Sequence, residues 1–190
     1  MNKVKFGLSH VVIAPFTINE QNQYVYEIPV VVPGAVNLSL TPAGDDTDFY
    51  ADNTKYFSDT ANQGYEGDVE IALLPDSIRT KILGETVDSN GALVEKSDAK
   101  SKGFAFGFQI DGDEHNRRFW YYNCKASRPA NNGQTKEASV TPQTDTLSMK
   151  AMPRLTDKLV RTFLEPTSSN KTAYDSFFDA VYEPVEEVSE

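Results

Sequence analysis

The chain has 190 residues, 39% of them hydrophobic and 24% charged, with a formal net charge of -10 at pH 7. This length suits one sizeable domain, and no run approaches the roughly 18 consecutive apolar residues that a membrane-spanning helix needs. The acidic balance argues against tight binding of nucleic acid, which requires clustered lysine and arginine to neutralise phosphates.

The first third of the chain reads as β-strands. Residues 8–14 form a β-branched apolar run, and residues 25–32 form another that Pro29 interrupts, as is typical of an edge strand or a bulge. In residues 36–41 and again in residues 68–73, apolar side chains alternate with polar or small ones. An alternation with period two predicts strands with one buried face.

One helix is well signalled, over residues 76–83. Pro75 stops the preceding strand, Ile78 and Ile82 share one face at a spacing of i, i+4, and Gly84 supplies a C-terminal stop. A second, weaker signal predicts a short C-terminal helix over residues 174–182. There an apolar stripe of Phe177, Phe178 and Val181 ends before Pro184.

The most aromatic stretch of the chain is residues 104–124, which reads as two strands joined by a polar turn at residues 112–116. Phe106 lies in the first strand, while Trp120, Tyr122 and Cys124 are predicted to share one face of the second. We assign these four residues to the structural core. The second strand carries bulky side chains on both faces, so it is either central in a sandwich or packed against another subunit.

Together these elements predict a mainly β protein, a β-sandwich or barrel of antiparallel strands with one flanking helix. Residues 146–151 supply a further alternating strand. We expect a β-sandwich domain over residues 1–165. Residues 166–190 are expected to form a C-terminal extension with the short helix and an acidic tail.

An acidic segment early in the chain reads as a loop that carries aromatic residues. It includes Asp46 and Asp48 together with Phe49, Tyr50, Tyr56 and Phe57. Aromatic side chains on a long polar loop are costly in a monomer and useful at an interface. Two readings stay open: a contact surface for another subunit, or aromatics that fold back onto their own sheet.

No motif points to catalysis, a metal or a cofactor. The acidic clusters at residues 45–48 and 111–113 lack the glutamate that a calcium loop needs at its twelfth position, where Phe57 and Tyr122 stand instead. His10, His115 and Cys124 are too few for a zinc site. A lone cysteine excludes an intrachain disulfide and suits folding in a reducing cytoplasm. Paired carboxylates for glycoside hydrolysis are the one enzymatic pattern left open.

Residues 104–151 carry a dense set of motifs: His115-Asn116-Arg117, Trp120-Tyr121-Tyr122-Asn123-Cys124, Ser127-Arg128-Pro129, Thr135 and Pro142-Gln143-Thr144-Asp145-Thr146-Leu147, leading to Ala151. With these motifs, this part of the chain resembles the major tail protein (tail tube protein) family of long non-contractile-tailed phages of Gram-positive bacteria. The opening, Gly7-Leu8-Ser9-His10-Val11, is also similar to the start of that family.

The resemblance implies a structural virion protein, made in the host cytoplasm, whose copies polymerise as stacked hexameric rings into the phage tail tube. It implies a β-sandwich with a flanking helix and a long early loop that reaches the next ring; residues 45–59 are the candidate, by position and composition. Its partners would be itself, the tape-measure protein and tail-tip or terminator proteins. DNA would pass only as non-sticking cargo. No enzyme activity, cofactor or membrane contact is expected.

A second function stays open from the residues alone. A monomeric β-sandwich module that binds carbohydrate, or serves as an adhesin, would use the same exposed aromatics as a ligand platform. Self-association that grows with concentration favours the tube, whereas saturable glycan binding by a stable monomer favours the module.

Overall fold

The computed structural model describes residue 4 and residues 6–112, 115–135 and 142–185. Its strands are β1 (Leu8–Ile18), β2 (Tyr24–Tyr26), β3 (Val30–Val31), β4 (Ala35–Ala43), β5 (Asp46–Ala51), β6 (Thr54–Thr60), β7 (Gly64–Ile71), β8 (Thr86–Val87), β9 (Leu93–Val94), β10 (Phe104–Ile110), β11 (Arg118–Ala126), β12 (Asp145–Met152) and β13 (Arg161–Leu164).

The helical content is small. Helix α1 (Asp76–Ile78) continues into a π-helical turn (Arg79–Leu83), which confirms the helix predicted over residues 76–83. Ile78 and Ile82 are both buried, as their spacing predicted. Gly84 ends the turn with φ +79°, and a Cβ at this position would lie 2.5 Å from the Lys100 carbonyl oxygen, so a side chain is excluded there.

Nine of these strands form one antiparallel sheet. Its order is β2-β1-β10-β11-β12-β7-β4, with β3 also beside β1 and β13 also beside β11. The short strands β2 and β3 lie at one end and β4 at the other, so the sheet does not close into a barrel. The mainly β prediction is therefore confirmed, in the form of a large open sheet with few helices.

The two halves of this sheet share one apolar core, which we call the central core. It combines side chains from β1, β10 and β11 with side chains from β4, β7 and β12, and the helical turn adds three more residues. The largest contributors are Val11, Ile13, Val69, Ile71, Ile78, Ile82, Leu83, Phe104, Phe106, Phe108, Tyr121, Cys124, Leu147 and Met149. Burying so many large side chains is the main source of stability in a fold of this kind.

A second apolar cluster, the outer core, lies on the opposite face of β1, β10 and β11. Trp120, Tyr122 and Phe177 are its largest buried members, with Val12, Ala14 and Ala105 beside them. Phe177 comes from the segment after α2 (Lys171–Asp175), so the C-terminal part of the described chain covers this face. Because β1, β10 and β11 lie between two cores, they are buried on both faces.

A register shift in the β10–β11 pair changes the predicted faces of β11. Phe104 pairs with Cys124, but Phe106 pairs with Tyr121, so β11 carries one extra residue between these pairs. Cys124 therefore turns into the central core with Tyr121, while Trp120 and Tyr122 point into the outer core. The prediction that Trp120, Tyr122 and Cys124 share one face is wrong for Cys124.

Two other segments differ from the sequence-based expectations. The acidic segment predicted as a loop is a β-hairpin formed by β5 and β6. The C-terminal helix begins at Lys171 and ends at Asp175, earlier than the predicted 174–182, and Phe177, Phe178 and Val181 follow it in turns. Residues 186–190 of the predicted acidic tail lie outside the described residues.

Candidate functional site

The β5–β6 hairpin is exposed along almost its whole length. Its turn is formed by Asp52 and Asn53, both with positive φ (51° and 59°), the backbone that a two-residue hairpin turn requires. Six residues on β5 and seven on β6 extend from the β4–β7 pair, and all but Ala51 are exposed. The hairpin therefore has no packing partner among the described residues.

Four aromatic side chains lie along this hairpin in contact with solvent. Phe49 and Phe57 are direct cross-strand partners, 58% and 56% exposed, while Tyr50 and Tyr56 are 64% and 76% exposed. In this structure the aromatics do not fold back onto their own sheet. Exposed aromatics grouped on one element are typical of an interaction surface.

The polar side chains of the hairpin stiffen it. The Asp48 carboxylate lies 2.7 Å from the Lys55 ammonium nitrogen and accepts a hydrogen bond from the Ser58 hydroxyl at 2.8 Å. The hydrogen bond from Lys55 lowers the pKa of Asp48 below its ordinary value. Asp46 pairs with Thr60 at the hairpin base and stays exposed.

A second surface is the face of β4, β7 and β12 that points away from the central core, which we call the polar face. The strand registers align its side chains in three rows: Asn37, Glu70 and Thr146; Ser39, Asp68 and Ser148; Thr41, Glu66 and Lys150. All nine side chains are polar and none is aromatic. The result is an acidic wall without apolar contacts for a ligand.

Hydrogen bonds hold the acidic groups of the polar face in place. Ser148 donates to the Asp68 carboxylate at 2.6 Å, and Thr144 donates to that of Glu70 at 2.6 Å. The Lys150 ammonium lies 3.2 Å from the Glu66 carboxylate. Three carboxylates against one ammonium leave this wall with an excess of negative charge.

Strand β4 forms one free edge of the sheet. It pairs with β7 over residues 35–43, and within the described residues no strand pairs with its other side. An unpaired edge offers a row of backbone donors and acceptors for another strand. Val36, on this edge, is an exposed apolar residue.

The four residues assigned to the core are all buried. Phe106 and Cys124 belong to the central core, whereas Trp120 and Tyr122 belong to the outer core. Burial raises the pKa of the Cys124 thiol, which keeps it protonated and unreactive. A nucleophilic role for this cysteine has no support in its surroundings.

Among the described residues, no three His, Cys, Asp or Glu side chains come together in a group able to hold a metal ion. Asp113, part of one acidic cluster in the sequence, lies outside the described residues. None of the helices described here is long and apolar enough to cross a membrane.

The sequence predicted the hairpin residues as a contact surface but not their strand conformation. The sequence-based prediction did not assign the polar face. A signal for this surface was present, because Glu66, Asp68 and Glu70 alternate with small or apolar residues along one strand. That alternation identifies the solvent-facing side of β7. Only the sheet order reveals that β4 and β12 continue the same surface.

Comparisons with known proteins gave a family match and a similar solved structure. The model of a family described as phage tail tube protein matches residues 37–186, more than half of the chain. Among solved structures, the chain is similar to the tube terminating cap of the anti-feeding prophage, determined by cryo-electron microscopy. The identity is 10% and the TM-score 0.43, over 83% of this chain and 89% of that one. A comparison with curated protein sequences gave no match.

Proposed function

The chain belongs to the phage tail tube protein family, and from this premise we propose that its copies polymerise as stacked hexameric rings into a hollow tail tube that conducts DNA. The family is one of structural tail proteins, so the chain is a structural component of the phage tail. The sequence-based resemblance to tail tube proteins is thereby confirmed. A Gram-positive host stays a prediction.

The observation that carries this proposal is the exposed β5–β6 hairpin. We assign the ring-to-ring contact to its aromatics Phe49, Tyr50, Tyr56 and Phe57, with Asp46 and Asp48 supplying polar contacts. A monomer gains nothing from holding four aromatic side chains in water, whereas burying them between subunits contributes roughly 25 cal/mol per Å² of apolar surface. The hairpin ladder and the Asp48–Lys55 ion pair hold the aromatics ready for binding.

The free edge of the sheet supports closure of copies into rings. Strand β4 is free along one side, and an edge strand of a neighbouring copy could extend the sheet there. Head-to-tail contacts of this kind close into rings or propagate into filaments, and a tube uses both modes. Six copies per ring is the number that the family resemblance implies.

We assign the polar face to the lumen of the tube. Among its nine side chains the one cation is Lys150, which Glu66 already engages, so this acidic wall would repel DNA phosphates. DNA would then slide during ejection without sticking. Before ejection, the same lumen would hold the tape-measure protein.

The remaining partners would bind at the two ends of the tube. A last ring exposes the same surfaces that inner rings bury, so tail-tip and terminator proteins would engage the hairpin at one end and its receptor at the other. We further propose that residues 1–165 form the tube domain and that residues 166–190 are an extension to it. Phe177 joins that extension to the outer core.

Shortening the hairpin tests the proposal. Replacing residues 46–60 with a two-residue Asn-Gly turn should leave a folded monomer that no longer polymerises, as seen by circular dichroism and negative-stain electron microscopy. The matched control changes only the turn, Asp52→Asn with Asn53→Gly, which keeps a suitable turn and all four aromatics. The control should polymerise like the unmodified protein. Tubes of normal length from the shortened variant would refute the assigned contact.

A further inference from the structure

A large groove lies beside the end of β11. Its volume is about 860 Å³. Its wall is largely apolar and its rim is polar. The apolar lining residues are Phe16, Ile18, Tyr24, Met152, Pro153 and Leu155. Leu155 is 71% exposed and Ile18 46% exposed, so this wall is only partly covered by the chain itself.

Two lysines give the groove a positive rim. Lys125 projects from β11 and Lys158 from the loop after β12, and both line the groove. Among the described residues, no carboxylate lies within ion-pair distance of either ammonium group. In a chain with a net charge of -10, two such lysines beside an apolar wall are a distinct local feature.

The β5–β6 hairpin has the complementary chemistry. Residues 45–60 contain five aspartates and one lysine together with the four exposed aromatics. Within one chain the hairpin does not pack into the groove, because all four of its aromatics stay exposed. The apolar wall of the groove therefore matches the aromatics of the hairpin, and the lysines of the groove match its aspartates.

We propose that the hairpin of one copy docks in this groove of a second copy. Its aromatics would cover the apolar wall, and its aspartates would approach Lys125 and Lys158. This inference rests on the self-assembly proposed above and names the receptor of the hairpin. Opposite charges around an apolar contact fix the register of an interface and disfavour wrong partners.

The backbone beside the groove also suits an incoming strand. The β10–β11 register ends at the pair Phe104–Cys124, and Lys125 pairs with Lys150 of β12 on the other side. From Lys125 onward, β11 is thus paired on one side only within the described residues. A hairpin strand can add to such an edge while its side chains enter the neighbouring groove.

Disulfide trapping between two different chains tests this docking. Ser58→Cys in one chain keeps every hairpin aromatic, and Leu155→Cys in another chain places a thiol in the groove. Under mild oxidation a mixture should give a heterodimer, resolved by mass spectrometry, that cannot arise within one chain. The native Cys124 is buried and does not compete. A control mixture uses Val87→Cys, an exposed residue of β8 outside the groove.

Docking predicts that the Leu155→Cys mixture yields about tenfold more heterodimer than the Val87→Cys mixture, because tethered thiols meet at a high effective concentration. Equal yields would overturn the inference.

Charge reversal gives a second readout. Lys125→Glu with Lys158→Glu should raise the concentration needed for tube formation about tenfold, as two attractive contacts become repulsive. Adding Asp46→Lys and Asp59→Lys in the hairpin should restore assembly. The control, Lys96→Glu with Lys100→Glu, makes the same change of charge at two exposed residues outside the groove and should assemble normally.

The outcomes separate this inference from the proposed function. Tubes that form with no specific heterodimer and no effect of groove charge would refute the docking and leave the tube intact. A specific heterodimer without any tube would support the docking and count against the tube. If no tube and no specific heterodimer form, both the docking and the proposed function are overturned.

Discussion

Trp120 joins two parts of the chain that are 57 residues apart. Its indole nitrogen donates a hydrogen bond to the Phe177 carbonyl at 2.8 Å, and its ring meets the Phe178 ring edge-on at 5.8 Å between centroids. The side chain is fully buried in the outer core. It therefore contributes both apolar burial and a satisfied polar contact to the attachment of the C-terminal segment.

Truncating this side chain should destabilise the fold strongly. Trp120→Ala removes the indole from a packed site, and we expect a loss of about 3–5 kcal/mol in the free energy of unfolding. Urea denaturation followed by circular dichroism measures it. Val87→Ala, at an exposed residue, is the control and should change stability by less than about 0.5 kcal/mol. An unchanged midpoint for Trp120→Ala would contradict the role assigned to this residue.

Cys124 shows how far residue-level prediction from the sequence can go. Its burial was predictable, because it follows a run of aromatics in a strand. The face it occupies was not, because the extra residue of β11 between the Phe104 and Phe106 pairs leaves no mark in the sequence. Alternation assigns faces correctly only where the register is unbroken.

At the scale of elements, the C-terminal segment is held to the sheet by Arg154. This buried guanidinium donates to the Glu183 carboxylate at 2.7 and 2.9 Å and to Asp157 at 3.1 Å. The Tyr122 hydroxyl adds a hydrogen bond to the Tyr182 carbonyl at 2.6 Å. Hydrogen bonds from Arg154 hold the pKa of Asp157 below its ordinary value.

This arrangement predicts a dependence of stability on pH. Because the folded-state pKa of Asp157 is lowered, its carboxylate stabilises the fold fully above the ordinary value of about 4. That contribution is lost as the pH falls through the lowered pKa. Urea denaturation should therefore show Asp157→Asn to be less stable than the unmodified protein at pH 7, with the difference shrinking below pH 4.

The control for this measurement is Asp98→Asn. Asp98 is exposed and has no ion pair among the described residues. Its substitution should give no such pH-dependent difference. A difference for Asp157→Asn that stays constant from pH 7 to pH 3 would contradict the proposed role of the Arg154 contact.

The hairpin marks the limit of prediction at the element scale. Its residues are polar and its aromatics do not alternate cleanly, so the pattern gives no buried face and resembles a loop. The one local signal was the pair Asp52-Asn53, two residues that tolerate positive φ and are common in two-residue hairpin turns. Strand β13 was missed for a related reason, since four residues are too few to show a period.

At the scale of the whole molecule, the chain forms successive layers. The polar face of β4, β7 and β12 comes first, then the central core, then β1, β10 and β11, then the outer core with the C-terminal segment over it. One side of the molecule is therefore an acidic wall, and the opposite side is covered by the C-terminal part of the described chain. The fold class was predictable from alternation; this order of layers depends on long-range strand pairing.

Reversing charge on the polar face tests its assignment to the lumen. Asp68→Lys with Glu70→Lys should still give tubes, because these side chains do not contribute to the central core. Phage particles built from this variant should release DNA more slowly, since lysines bind phosphates. Raising salt should reduce the slowing, because the Debye length shortens to about 3 Å at 1 M.

The control places the same change of charge elsewhere. Asp98→Lys with Asp179→Lys alters two exposed residues off the polar face and should leave the rate of DNA release unchanged. Equal rates for the two variants would mean that the polar face does not line the path of DNA.

The most direct test of the central claim is negative-stain electron microscopy of the purified protein, with its mass measured by light scattering. Both would be recorded over a range of concentrations, with and without isolated tail tips as seeds. Polymerisation into a tube predicts hollow tubes or rings and a mass that rises with concentration. A particle of monomer mass under every condition, seeds included, would contradict it.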